Sequence, residues 1–226
     1  MLNGVFSFRG FDLSNDNVVS AIIRACCRQV RRSVPKVPAW NVDVVLRALL
    51  APPFEPMETA DLRQGTMKTL FLVALATAKR VGELQALSRG VARRGEDWIL
   101  AYLPEFVAKT ETQLHPLPTE FPLRSLAAVL EHDSEDRLLC PVQALRYYLH
   151  RTAGPSRPRH LFVSLKDRTR PMSKAAISYF IRRVIQSAHE TFPECLAGLL
   201  KVKAHEVRAV ATSLLWNFNR RLSDVM

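Results

Sequence analysis

The chain has 226 residues, 32 of them basic and 21 acidic, for a net charge of +11. With 48% hydrophobic residues it can bury a full core, so disorder is not the default, and its length allows one large domain or one domain plus a fragment of another. Its 4 cysteines, Cys26, Cys27, Cys140 and Cys195, form no Cys-x-x-Cys pair, so no zinc site is expected, and no apolar run has membrane-spanning length.

The basic balance is mostly arginine, 24 Arg against 8 Lys. A polyanion partner fits this, because guanidinium forks match phosphate oxygens two at a time. A surface of solvated charges fits it too. Reduced thiols and an intracellular location are expected.

Residues 1–16 show no clear period. Residues 17–32 predict a short helix whose Val18, Ile22, Ala25 and Val30 form an apolar stripe, made basic by Arg24, Arg28, Arg31 and Arg32. A solvated face and a DNA-contacting face are both compatible with it. Pro35-Lys36-Val37-Pro38 reads as a stiff linker and the best boundary in the chain. Residues 42–50 predict a short amphipathic helix, stopped by Pro52-Pro53. Residues 61–78 give the longest helical pattern, with Leu70, Val73, Ala74 and Thr77, then Val81, on its buried side.

Residues 98–103, 106–109 and 115–117 are short, apolar or alternating, and predict a small three-stranded antiparallel sheet. Helices are expected over residues 123–130 and 141–151, the second with Pro141 in its first turn. Residues 154–159 form a Pro- and Arg-rich loop, and Leu161-Phe162-Val163-Ser164 a short strand. Ser173 is placed to cap a helix from Lys174 to about His189, with Ile177, Phe180, Ile181, Val184 and Ile185 inward and Pro193 beyond it. Residues 204–219 give the last helix, with an apolar stripe of Val207, Val210, Ala211, Leu214 and Phe218. The fold class expected is mainly α (α+β), without internal repeats.

Two stretches carry charged groups one helical turn apart. Arg80 and Glu83 lie in Ala76-Thr77-Ala78-Lys79-Arg80-Val81-Gly82-Glu83-Leu84. His205 and Arg208 lie in Lys203-Ala204-His205-Glu206-Val207-Arg208. Residues at i and i+3 share a helix face. On the last helix, His205, Arg208, Thr212 and Trp216 would share a face flanking the apolar stripe. Arg80, His205 and Arg208 could then converge on one anion.

These blocks resemble the catalytic domain of tyrosine recombinases, the phage-integrase class. The wording most resembles the recombinases of DIRS- and Ngaro-like retrotransposons. Met67-Lys68-Thr69-Leu70-Phe71-Leu72-Val73-Ala74 running on to Lys79-Arg80-Val81-Gly82-Glu83-Leu84 is similar to their first block. Leu139-Cys140-Pro141-Val142-Gln143-Ala144-Leu145-Arg146-Tyr147-Tyr148-Leu149 resembles a middle block, and Ala204-His205-Glu206-Val207-Arg208-Ala209-Val210-Ala211-Thr212-Ser213 a third. The similarity covers residues 36–226.

The resemblance implies that a tyrosine attacks a DNA phosphodiester, leaving a phosphotyrosyl link and a free 5′-hydroxyl, with neither metal nor cofactor. Arg80 and Arg208 would clamp the non-bridging oxygens of the phosphorane. His205 would donate a hydrogen bond or assist proton transfer, and Lys109 would be the hairpin lysine that protonates the leaving oxygen. Glu83 would orient Arg80. Ala78 departs from the pattern, since many integrases have Gly before the arginine. A tyrosine is expected after His-x-x-Arg, but the tyrosines here, Tyr102, Tyr147, Tyr148 and Tyr179, all precede His205 and fall in segments that read as core or helix surface.

The resemblance further implies that residues 1–34 are the remnant of an N-terminal helical core-binding domain. Residues 35–226 would be a catalytic domain that stops short of its nucleophile. The partner implied is double-stranded DNA, with homo-oligomers on DNA admitted. No membrane and no small-molecule cofactor are implied, and the location is the nucleus. The alternative is a degenerate or domesticated relative that binds DNA without cutting it.

Overall fold

The structure, a computed structural model, describes Ala21 and residues 40–108, 118–126, 135–191 and 202–223, with side chains of the last segment described to residue 215. All but Ala21 lie in a compact unit that runs Pro38–Met226. The expected helix over 17–32, the expected strand 115–117 and most of the expected helix 123–130 lie outside the described residues.

Helix α1 spans Val42–Leu49 and starts where the Asn41 side chain accepts from the Asp43 N–H at 2.8 Å. Helix α2 spans Leu62–Thr77 and is capped by Asp61, whose carboxylate accepts from the Arg63 N–H at 3.3 Å. The short helix α3 is Val81–Gln85, α4 is Pro141–Arg151, α5 is Lys174–Thr191 and α6 is Glu206–Ser223. A 3-10 turn, Glu135–Leu139, leads into α4.

The core is built around α2, which packs against α4, α5 and α6. Residues 65–74 of α2 are all buried, so this helix buries its whole circumference rather than one stripe. Its polar members must then find partners inside the protein. The single Thr69 hydroxyl proton is shared between the carbonyl oxygens of Gly65 (2.8 Å) and Ala144 (3.1 Å). The fully buried Lys68 donates to the Leu49 carbonyl at 2.7 Å and forms an ion pair with Glu55. Burial pushes the Lys68 pKa down, and Glu55 opposes that shift.

The inward stripe of α5 is the expected one: Ile177, Phe180, Ile181, Val184 and Ile185 are buried, and Ser173 Oγ accepts from the Ala176 N–H at 3.2 Å. The same helix buries His189, whose ring Nδ1–H donates to the Ile185 carbonyl at 2.9 Å while Nε2 accepts from the Asn41 N–H at 3.1 Å.

The sheet is three-stranded and antiparallel as expected, but its strands differ. They are β1 Ala92–Arg94, β2 Asp97–Ala101 and β3 Glu120–Leu123, in the order β1-β2-β3. Arg94 pairs with Asp97, so Gly95 and Glu96 form a two-residue hairpin turn, and Gly95 takes φ +59° there. All of β1 is exposed, which left no alternation to find. Residues 106–108 form no strand, and Leu123, expected in a helix, pairs with Trp98.

Residues 160–163 are not a strand either; they form isolated bridges. Leu161, Phe162 and Val163 are buried, and each of their backbone partners comes from a different place. The Leu161 N–H donates to the Leu87 carbonyl (2.7 Å), the Val163 N–H to the Tyr148 hydroxyl (2.8 Å), and the Met172 N–H to the Phe162 carbonyl (2.9 Å). No helix among the described residues is long and apolar enough to cross a membrane.

Breaking the Lys68–Glu55 pair leaves a buried ammonium with a single carbonyl partner. Glu55→Ala is therefore expected to cost about 3 kcal/mol in urea unfolding. Lys68→Met, which removes the charge but keeps the volume, should cost less than Glu55→Ala. The reverse order would show that the pair does not govern this part of the core.

Candidate functional site

Helix α2 ends at Ala78, which sits in the left-handed region with φ 51° and ψ 28°. This single residue turns the chain so that Arg80, in extended conformation, becomes the N-cap of α3. Glu83 then closes on it twice. Its Oε2 accepts from the Arg80 N–H and its Oε1 from Arg80 Nη1, both at 3.1 Å. The Glu83 side chain is 10% exposed and that of Arg80 43%. Held at backbone and guanidinium, Arg80 presents its remaining donors to solvent.

Arg208 lies in the first turn of α6 and is half-buried. Val207 and Ala211 anchor that helix in the core. The Arg208 Nη1 is buried and has no hydrogen-bond partner among the described residues. An unpaired buried guanidinium nitrogen is costly, so an anion at this position would relieve the cost.

Lys79, next to Arg80 in the chain, lies over the rings of Phe121 and Tyr102. The Lys79 ammonium lies 4.1 Å from the Phe121 ring centroid and 5.3 Å from that of Tyr102. Burial pushes the Lys79 pKa down; Glu83 opposes this and Arg208 adds to it. Tyr102 is pushed up, first by burial and then by Glu83, with Arg208 opposing. Glu83, which holds Arg80, and Arg208 thus act on the same two groups. Sequence reasoning had assigned no role to Lys79, Tyr102 or Phe121. The only signal was the place of Lys79 beside Arg80.

His205 does not share a helix face with Arg208. Helix α6 begins at Glu206, and His205 occupies an exposed turn just before it. The turn is fastened by the Glu206 N–H on the Lys203 carbonyl (3.0 Å) and the Lys203 N–H on the Glu206 carboxylate (3.1 Å). Leu214, expected in the apolar stripe, is 48% exposed. Lys109 and the side chain of Trp216 lie outside the described residues.

Three of the four tyrosines fit the expectation of core or helix surface. The Tyr148 hydroxyl is buried and accepts from the Val163 N–H. That of Tyr147 donates to Glu58, and that of Tyr179 accepts from Arg63 Nη2 at 3.1 Å. Tyr102 is the exception, since it stands within electrostatic reach of both Glu83 and Arg208. The cavity of about 340 Å³ lined by Glu55, Met57, Leu138 and Tyr147 contains none of these site residues.

A left-handed alanine carries steric cost of about 1 kcal/mol or more, which glycine escapes at some cost in chain entropy. Ala78→Gly should therefore raise stability by about 0.5 kcal/mol. A lowered melting temperature would show that the turn depends on the alanine methyl.

Compared with known proteins, the chain matches no family model and no curated protein.

Proposed function

We propose that this chain is a DNA-binding domain of the tyrosine-recombinase type, in which Arg80 and Arg208, joined by His205, hold one backbone phosphate. The observations that support this reading are the Arg80–Glu83 pair and the buried Arg208 Nη1 without an acceptor among the described residues. Glu83 and Arg208 both act electrostatically on Lys79 and Tyr102. The order of the three sequence blocks and the net charge of +11 support the same partner.

The chemistry divides by group. Arg80 is pre-oriented by Glu83, so little side-chain freedom is lost when it takes a phosphate oxygen. Arg208 meets the phosphate from a partly desolvated position, where a charge-assisted hydrogen bond is stronger than in water. Such fixed cations would stabilise the additional charge of a phosphorane as well as a resting phosphodiester. An attacking group is a separate requirement. The hydroxyls of Tyr147, Tyr148 and Tyr179 are engaged elsewhere, and Tyr102 is half-buried with its ring under Lys79. These placements favour the binding reading over attack by any of the four.

Binding to duplex DNA should weaken steeply with salt, by about 0.9 in log K per log salt for each phosphate contact. Arg208→Ala should lower the affinity and reduce that slope by about 0.9. Salt-independent binding, or none at low salt, would reject the reading.

Incubated with a nicked suicide substrate, the purified chain should give no covalent adduct on a denaturing gel. A detergent-resistant band that disappears in Arg208→Ala would show that a nucleophile is present after all.

A further inference from the structure

We propose that Lys79 is a third phosphate-binding residue of this site, its ammonium held on the rings of Tyr102 and Phe121 and presented to the same phosphodiester as Arg80 and Arg208. The inference rests on the phosphate-site reading and deepens it.

The geometry begins with the left-handed turn at Ala78, which leaves Lys79 between the end of α2 and the cap of α3. Phe121 belongs to β3, and Tyr102 follows β2 and bridges to Leu87. Their rings lie 5.5 Å apart at 48° and together form a platform under the ammonium. An aromatic face attracts a cation through its quadrupole without neutralising it. A lysine held by a carboxylate has its charge cancelled; one held by rings keeps it for an outside anion.

The local charge count points the same way. Among the described residues, Glu83 is the carboxylate that acts on Lys79, and Glu83 is already committed to Arg80. Like charges held together in a partly buried place repel, as the added downward effect of Arg208 on the Lys79 pKa reflects. A phosphodiester set among them would neutralise that excess and give Arg208 Nη1 its missing acceptor. Lys79 is not explained by core packing alone, because the group that lies over the rings is its charged head.

The test is a salt titration of a fluorescent DNA duplex with the full chain and its variants. Lys79→Met keeps an apolar chain on the rings and drops the charge. It should weaken binding several-fold at low salt and reduce the slope by about 0.9, while Lys79→Arg keeps the slope of the unaltered chain. Combined with Arg208→Met, its effect should fall short of the sum of the two, since both lose the same phosphate. A second measurement needs no variant: in the unaltered chain, bound duplex should protect Lys79 from acetylation, read by mass spectrometry. Unchanged affinity and slope in Lys79→Met, or equal acetylation with and without duplex, while Arg208→Met still weakens binding, would overturn the Lys79 assignment and leave the phosphate site standing. No salt-dependent binding by the unaltered chain would overturn both.

Discussion

The constraint on which this structure depends is the complete burial of the middle of α2. A helix surrounded on all sides cannot send its polar side chains to water, so each must be answered from within. Thr69 is answered by its own helix and by the Ala144 carbonyl of α4. Lys68 is answered by the Leu49 carbonyl at the end of α1 and by Glu55. These bonds specify where α1 and α4 lie against α2, which apolar packing alone would fix less sharply. They also fix the far end of α2, and thereby the point from which the candidate site is built.

That site shows how a surplus of like charge is tolerated in a folded protein. Glu83 offsets one cation and is itself nearly buried, so its hold on Arg80 is directional as well as electrostatic. The sheet contributes aromatic rings rather than a second carboxylate. Among the described residues, the outcome is a cation, Lys79, seated on rings beside an arginine already paired with Glu83.

Much of the helical framework was legible in the sequence because its signals are local. The Ser173 cap and the five inward residues of α5 lie within a few turns of one another, and 3.6-residue periodicity reports them directly. The Arg80–Glu83 pair was legible for the same reason. The sheet was not. Strand β1 exposes all its residues, so no alternation marks it, and its partner β2 is defined by the glycine turn between them. The start of α6 was misjudged by two residues, because the turn at His205 is fixed by the Glu206 side chain folding back onto Lys203. The surroundings of Lys79 were illegible: its contacts are rings brought in by the sheet, and no short-range pattern encodes that approach.

The buried segment 161–163 has a consequence for how the molecule comes together. It has no ladder of its own. Its backbone is satisfied by Leu87 after α3, by the Tyr148 hydroxyl of α4 and by Met172 before α5. None of these lies next to it in sequence, and each belongs to an element that must already be in position. A piece of the chain lacking any one of them would leave buried backbone groups unanswered. The segment therefore acts as a keystone, joining the residues after α3, the hydroxyl of α4 and the residues before α5 through one stretch of backbone.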